Sequence, residues 1–164
     1  MQLGVVGLGR MGQIVVERTL DAGHEVVAFD LDAEATARAA AAGADPADSV
    51  EDLCDRLGSN KRIWLMVPAG DAVDATLADL EPHLTADDVV VDGGNSHFEA
   101  SVRRAEGTDA AYLDCGTSGG PASAEAGFSL MVGGPARRWC PSSMRSRPAR
   151  TATTGWGRLV RVTT

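Results

Sequence analysis

The stretch QLGVVGLGRMG, residues 2–12, joins a short apolar run to three glycines in the pattern G-x-G-x-x-G. The apolar run is typical of a buried strand, and the spacing of apolar residues over 10–22 predicts a helix directly after it. The glycines therefore lie where a strand turns into a helix. At such a turn Gly7 permits a tight bend, Gly9 lets a ligand approach the backbone, and Gly12 lets the helix pack close to the strand.

The same alternation of strand and helix continues to residue 134. Strands are predicted at residues 25–30, 62–67, 88–92, 112–115 and 129–132, and helices at 33–42, 49–57, 71–80 and 96–106. Strands rich in Val, Ile and Leu that alternate with helices indicate a parallel sheet covered on both faces. The sequence thus predicts a Rossmann-type, doubly wound α/β domain with a mostly parallel sheet over residues 1–134.

The turn after the first strand is suited to binding a pyrophosphate. The N–H groups that begin a helix have no partner within it, and that end of the helix dipole is positive. Asp30 ends the second strand, at about the 20-residue spacing that this motif requires. Its carboxylate can accept both ribose hydroxyls of NAD and would repel the 2′-phosphate of NADP. No arginine follows in residues 31–33, so NAD is favoured over NADP, whereas a helix-capping role suits Asp32 better than Asp30.

Three further segments follow predicted strands, at the edge of the sheet where ligands of such folds bind. They are MVPAG at residues 66–70, DGGNS at 92–96 and GTSGG at 116–120. Asn95 offers both hydrogen-bond donors and acceptors, and we interpret it as a ligand-binding residue. Ser96 and Glu99 form the pattern of a capping box, so Ser96 is expected to cap the next helix.

Composition limits the class of protein. The 164 residues are 44% hydrophobic and 23% charged, as in ordinary globular domains, and no apolar run approaches the roughly 20 residues of a membrane helix. Cys54, Cys115 and Cys140 are too widely spaced to predict a zinc site or a disulfide framework, which favours a reducing cytoplasm. The net charge of −8 disfavours nucleic acid as a partner. We therefore expect a cytoplasmic protein without a metal, membrane or nucleic-acid partner.

Taken together, VVGLGRMG, MVPAG, DGGNSHF, YLDCGTSGG and EAGFSLMVGG resemble the decarboxylating 6-phosphogluconate dehydrogenase family over residues 1–134. The related 3-hydroxyisobutyrate-type β-hydroxyacid dehydrogenases share the first glycine motif and the SGG loop, but usually read D-x-S-T in place of DGGNS. The resemblance implies hydride transfer from C3 of 6-phosphogluconate to NAD, then loss of carbon dioxide to give ribulose 5-phosphate. The alternatives are a sister β-hydroxyacid dehydrogenase and a dinucleotide-binding module without catalysis.

The resemblance also implies roles for individual residues. It implies contacts with the cofactor from Gly7, Leu8, Gly9, Arg10, Met11, Gly12 and Asp30, from Val67, Pro68 and Ala69 on the adenosine side, and from Asn95 near the nicotinamide. Contacts with the sugar acid are implied for Asn95, Ser118, Gly119 and Gly120. Family members associate as homo-oligomers largely through a C-terminal helical domain, so the oligomeric state of this chain stays open.

The catalytic lysine of the family lies in a G-x-G-H-x-x-K-M-x-H-N segment, with the catalytic glutamate shortly after it. These 164 residues contain no such segment, and their one lysine, Lys61, precedes a predicted strand. We expect the helical domain of the family to be absent from this chain. The chain alone is then expected to bind NAD weakly and to have no catalytic turnover.

Residues 135–164 break the pattern of the preceding chain. All 23 acidic residues precede this segment, which contains seven arginines and no Asp or Glu. Codons can be chosen for residues 152–164, followed by a TGA stop codon, that, read from the last base of the first codon, give YDRVGPSGSGHYV, which resembles the family's approach to its lysine. We therefore expect a frameshift near codons 135–138 and a poorly ordered tail. The alternative is a genuine arginine-rich arm that binds anions or nucleic acid.

Overall fold

The predicted alternation of strands and helices is confirmed in the computed structural model, which describes residues 1–118, 129–134 and 160–162. The strands are β1 (Gln2–Val6), β2 (Glu25–Phe29), β3 (Asp45–Pro46), β4 (Arg62–Leu65), β5 (Val89–Asp92), β6 (Ala111–Ser118), β7 (Ser129–Gly133) and β8 (Val160–Val162). The helices are α1 (Arg10–Asp21), α2 (Ala33–Ala41), α3 (Val50–Leu57), α4 (Asp71–Leu80) and α5 (Phe98–Gly107), with a 3-10 turn at Glu81–His83.

The eight strands form one sheet in the order β3-β2-β1-β4-β5-β6-β7-β8. The first six strands in that order are parallel, and β7 and β8 are added antiparallel. The chain winds outward from β1 in both directions, so the order reverses between β1 and β4. This arrangement confirms the Rossmann-type, doubly wound prediction, and it creates a crevice at the switch point beyond the carboxyl ends of β1 and β4.

Alternating side chains of the strands build a core on each face of the sheet. On one face, residues such as Val6, Val27 and Leu65 pack against α3 and α4 in a cluster that reaches Tyr112 on β6. On the other face, Val5 and its neighbours on β2 pack against α1 and α2. Because both faces of the central strands are buried, β1 and β5 read as nearly continuous apolar runs.

The hydrogen bonds confirm one predicted helix cap, at Asp32, and contradict the other, at Ser96. The Asp32 side chain accepts the Glu34 N–H at 3.0 Å and caps α2. The predicted capping box at Ser96 is wrong, because α5 begins at Phe98 with His97 at its N-cap and has no side-chain capping bond. The Ser96 hydroxyl instead donates to the buried carboxylate of Asp92 at 2.7 Å. A buried charge without hydrogen-bond donors is costly, so this bond is favoured over capping of the helix.

Three further predictions concern a membrane helix, a metal site and the order of residues 135–164. Within the described ranges, no helix is long and apolar enough to cross a bilayer, and no group of three or more His, Cys, Asp or Glu side chains could hold a metal ion. The prediction that residues 135–164 are poorly ordered falls outside the described residues, apart from β8. The two-residue strand β3 and the strand β8 were not anticipated from the sequence pattern.

Candidate functional site

A cleft of about 840 Å³ opens at the switch point of the sheet. Its walls come from the glycine loop (residues 7–12), the end of β2, the β4 loop (residues 66–70), the β5 loop (residues 92–96) and α4. The lining residues are Val6, Gly7, Gly9, Met11, Phe29, Asp30, Leu31, Val50, Met66, Val67, Pro68, Ala72, Ala75, Thr76, Asp79, Gly93, Gly94, Asn95 and Thr117. Dinucleotides bind at this position in open α/β sheets.

The glycine loop has the close contacts that its motif predicts. Gly7 has a φ of +92°, a conformation that side chains rarely adopt, and a Cβ on it would lie 2.7 Å from the Met66 carbonyl oxygen. A Cβ on Gly12 would overlap the Gly7 carbonyl oxygen. A Cβ on Gly9 would meet no atom within 4 Å. The first and third glycines therefore permit packing within the protein, whereas the second leaves open space in the cleft.

The N-terminus of α1 is free to interact with an anion. Gly9 is its N-cap and has no side chain to bond the N–H groups of the first turn, which also contains no acidic residue. Gly9 and Met11 both line the cleft. Unpaired N–H groups and the positive end of the helix dipole consequently face a space that could accommodate a phosphate.

The Asp30 carboxylate lies half-buried at the edge of the cleft, directly after β2. One of its oxygens accepts the Leu8 N–H at 2.5 Å, and the other accepts the Asp32 N–H at 2.8 Å. The first bond fixes the carboxylate to the glycine loop, and each oxygen retains capacity to accept a further hydrogen bond. Leu31, which follows it, is 95% exposed.

The β4 loop and the β5 loop form the opposite wall. The Met66 N–H donates to the Val6 carbonyl at 2.7 Å, and the Gly93 N–H donates to the Leu65 carbonyl at 2.8 Å, so both loops continue the ladder of the sheet. A Cβ on Gly94 would lie 2.5 Å from the Val67 carbonyl oxygen. The two loops are therefore in close backbone contact. Asn95, the next residue, is exposed and has a φ of +62°.

Behind the β5 loop lies a buried polar cluster around Asp92, which is 0% exposed. One carboxylate oxygen accepts the Gly94 N–H at 2.9 Å. The other accepts the hydroxyls of Tyr112 at 2.5 Å and Ser96 at 2.7 Å, and lies 3.4 Å from Nη1 of Arg104. Burial, together with the hydrogen bond to Asp92, raises the pKa of Tyr112 far above its ordinary value. Tyr112 is therefore a neutral donor at physiological pH.

Arg104 extends this cluster to α4. Its Nε donates to Oδ1 of Asp74 at 2.8 Å, and its Nη2 donates to the Gly70 carbonyl at 3.0 Å. The hydrogen bond to Asp74 raises the pKa of Arg104 and lowers the pKa of Asp74. Both groups are consequently charged at neutral pH. Among the described residues, every buried side-chain nitrogen and oxygen has a hydrogen-bond partner.

The structure brings together many of the residues that the sequence identified. Seven of them line the cleft: Gly7, Gly9, Met11, Asp30, Val67, Pro68 and Asn95. Four do not line it: Leu8 and Gly12, which are buried, and Arg10 and Ala69, which are exposed. Ser118 ends β6, one residue after Thr117 of the cleft. Gly119 and Gly120 lie outside the described residues.

Sequence reasoning missed two parts of the site. The first is the face of α4 that lines the cleft, formed by Ala72, Ala75, Thr76 and Asp79. Its helical spacing is visible in the sequence, but its proximity to the cleft depends on how α4 packs. The second is the cluster of Asp92, Arg104 and Tyr112, which lie on three different elements and form no local motif.

Comparisons with known proteins agree with this geometry. The family model for the NAD binding domain of 6-phosphogluconate dehydrogenase matches residues 2–143. An NAD(+)-dependent, decarboxylating 6-phosphogluconate dehydrogenase of Haloferax volcanii is 83% identical over 135 residues, which are 82% of this chain and 45% of that protein. A decarboxylating 6-phosphogluconate dehydrogenase of Cunninghamella elegans is 38% identical, over 84% of this chain and 30% of its own length. The chain thus spans less than half the length of these curated relatives.

Solved structures show the same fold. Plasmodium falciparum 6-phosphogluconate dehydrogenase, studied in apo form and in complexes with NADP+ and with 6-phosphogluconate, has a TM-score of 0.73 at 30% identity, covering 82% of this chain and 31% of that one. Mycobacterium tuberculosis 3-hydroxyisobutyrate dehydrogenase has a TM-score of 0.71 at 26% identity, covering 82% and 46%. With the glycine loop and cleft described above, these matches assign the chain to the family of the NAD-binding domain of 6-phosphogluconate dehydrogenase.

Proposed function

We propose that this chain binds NAD(H) and is the cofactor domain of a decarboxylating 6-phosphogluconate dehydrogenase. The observation that carries the proposal is the bond between Asp30 and the glycine loop, in which the carboxylate accepts the Leu8 N–H. A ribose-binding acceptor is thereby held beside a helix N-terminus suited to a pyrophosphate. The open space at Gly9 is consistent with close approach of that pyrophosphate.

The preference for NAD over NADP rests on charge. Asp30 and Asp79 line the cleft, whereas none of the lining residues in the described part of the chain is Lys or Arg. A 2′-phosphate near Asp30 would meet a like charge without a compensating cation. The relatives include one named NAD(+)-dependent and one studied with NADP+, so the side chains of the cleft, rather than the relatives, support the preference for NAD.

For the complete enzyme we propose 6-phosphogluconate as the substrate and ribulose 5-phosphate and carbon dioxide as the products. Bound NAD would supply the hydride acceptor for C3 of the sugar acid. In this chain, Asn95 and the segment Ser118–Gly120 would bind and orient the sugar acid beside it. The DGGNS sequence of the β5 loop supports this substrate over a 3-hydroxy acid of the sister enzymes.

We further propose that residues 135–164 are encoded out of frame. The support is the arginine-rich composition of the segment, its alternative reading as YDRVGPSGSGHYV, and the similarity to the Haloferax protein, which extends over 135 residues. The catalytic lysine would then be encoded downstream in the other frame. A cofactor domain that folds without that lysine would bind the dinucleotide and leave the sugar acid unreacted.

Isothermal titration of the 164-residue chain with NADH and NADPH tests the cofactor proposal. We expect binding of NADH and weaker binding of NADPH, and no turnover of 6-phosphogluconate. Failure to bind either dinucleotide would contradict the proposal, and production of NADH would contradict the expected inactivity. Tighter binding of NADPH would overturn only the preference.

Sequencing of the encoding DNA from about codon 130 onward tests the frameshift. One inserted or deleted base near codons 135–138 that restores the GPSGSGHYV reading supports it, and an intact frame rules it out. The enzyme expressed from a restored frame is expected to oxidise 6-phosphogluconate in preference to 3-hydroxyisobutyrate. The opposite preference would assign it to the sister enzymes.

A further inference from the structure

We propose that Arg104 is a positioning residue for the cofactor site, which fixes the β5 loop, at the nicotinamide half of the cleft, to the end of the β4 loop. The inference rests on the proposed binding of NAD(H). Asp30 marks the adenosine half on the β2 side of β1, and β5 lies farther from β2 than β4 does, so the β5 loop with Asn95 is on the side of the other half of the dinucleotide. The β5 loop and the β4 loop both end at the guanidinium of Arg104.

The contacts of Arg104 join segments that are distant in sequence. Its Nη2 donates at 3.0 Å to the carbonyl of Gly70, the last residue of the β4 loop. Its Nη1 donates at 2.8 Å to the hydroxyl of Ser96, the last residue of the β5 loop. A single side chain, 3% exposed, therefore bridges the ends of both loops from α5.

The charge of the side chain and the arrangement of its donors make this bridge specific for arginine. The same guanidinium lies 3.4 Å from the buried carboxylate of Asp92 and donates at 2.8 Å to Asp74 in the first turn of α4. Its planar fork of five donors can satisfy these partners together, whereas the three donors on a lysine ammonium cannot span them. An unpaired buried charge is costly, so any shift of either loop that breaks these contacts is disfavoured.

The position of Asn95 depends on this bridge. The loops touch where Gly94 approaches the Val67 carbonyl, and Asn95 follows in a left-handed conformation, with a φ of +62°. Asp92 and Ser96, on either side of Asn95, are both bonded into the cluster. Releasing Ser96 and Gly70 would let the β5 loop rotate, which would move the Asn95 amide relative to the cleft.

Arg103 provides a matched control on the same helix. It also pairs with Asp74, at 3.2 Å, but its side chain is 67% exposed. Its two hydrogen bonds in the described part of the chain both go to Asp74, whereas Arg104 also contacts Gly70 and Ser96. A lysine at position 103 therefore changes the same chemical group and the same ion-pair partner without changing the bridge between the loops.

The test compares NADH with ADP-ribose, which lacks only the nicotinamide ring. Both ligands are titrated calorimetrically into the 164-residue chain and into the Arg104→Lys and Arg103→Lys variants, with circular dichroism to verify folding. Arg104→Lys is expected to weaken NADH binding about 10-fold, the usual scale for losing charged hydrogen bonds, and ADP-ribose binding less than about 3-fold. Arg103→Lys is expected to change neither affinity by more than about 2-fold, as for an exposed pair.

If Arg104 only stabilised the fold, its substitution would weaken the binding of NADH and of ADP-ribose equally. The ratio of the two affinities is therefore the decisive measurement. Equal losses, or no loss of NADH affinity, would overturn the proposal. If Arg104→Lys does not fold, Ser96→Ala decides, with a selective loss of NADH affinity of at least about 3-fold expected, because the removed hydroxyl bonds two charged groups, Arg104 and Asp92. Failure of the unsubstituted chain to bind NADH would instead contradict the proposed function, and the inference with it.

Discussion

Asp30 and Asp92 occupy equivalent positions on the two halves of the sheet, yet they have opposite surroundings. Asp30 directly follows β2 and Asp92 ends β5, so both lie at the edge where the cleft opens. Asp30 is partly exposed and is held by two backbone N–H groups. Asp92 is fully buried and accepts two hydroxyls and a backbone N–H beside Arg104.

The donors around a carboxylate, rather than its position on a strand, thus determine what it can bind. Backbone donors leave Asp30 with unused acceptor capacity at the cleft. The side chains around Asp92 occupy its oxygens and exclude solvent, so its charge acts within the protein. We therefore propose that the first carboxylate serves ligand recognition and that the second maintains the order of the β5 loop.

The strongest test of this comparison is the stability of matched amide variants. Asp92→Asn removes a buried charge beside Arg104 and is expected to lower the free energy of unfolding by about 3 kcal/mol or more. Asp30→Asn keeps one acceptor oxygen at a partly exposed site and is expected to cost less than about 1 kcal/mol. Urea unfolding monitored by circular dichroism measures both. Equal losses would mean that the two carboxylates contribute alike to folding.

For cofactor affinity we expect the opposite order of the two carboxylates, with the larger effect at Asp30. Asp30→Ala removes the acceptor for the ribose hydroxyls and is expected to weaken NADH binding about 10-fold, because a bond to a charged group is lost. NADPH binding should weaken less, or improve, since the repulsion of its 2′-phosphate is removed. Competitive titration with both dinucleotides gives the ratio. An unchanged ratio would contradict the role of Asp30 in discriminating between them.

The two halves also differ in how far the sequence alone could define them. Asp30 and the glycine loop belong to one strand-helix-strand unit with a fixed spacing, so their meeting could be predicted from residues 2–30. The contact of Arg104 with Gly70 joins residues on different crossovers, and it depends on how α4 and α5 pack across the sheet. The capping role expected for Ser96 failed for the same reason, because the buried Asp92 that binds its hydroxyl is not recognisable as buried from local pattern.

The smallest expected effect is the pH dependence of stability that comes from Asp74, the residue of α4 that pairs with Arg104. The hydrogen bond from Arg104 lowers the pKa of Asp74 in the folded chain relative to about 3.9 in the unfolded chain. The folded state therefore binds fewer protons at this site. The stability that Asp74 contributes is present above about pH 4 and is lost as the pH falls through its lower folded-state pKa. Because the side chain is 43% exposed, solvent screening limits this contribution to less than about 1 kcal/mol.

Urea unfolding of the chain and its Asp74→Asn variant between pH 7 and pH 3 measures this contribution. The difference in free energy of unfolding is expected to be largest at neutral pH and to disappear on acidification. In an Arg104→Lys background the pH-dependent difference should shrink, because the hydrogen bond that lowers the pKa is weakened, and this cycle isolates the coupling between the two residues. A difference that persists unchanged in that background would assign the pKa shift to Arg103 or to the helix dipole, and Arg104 would then be coupled to the cleft through Gly70, Ser96 and Asp92 without a contribution from Asp74.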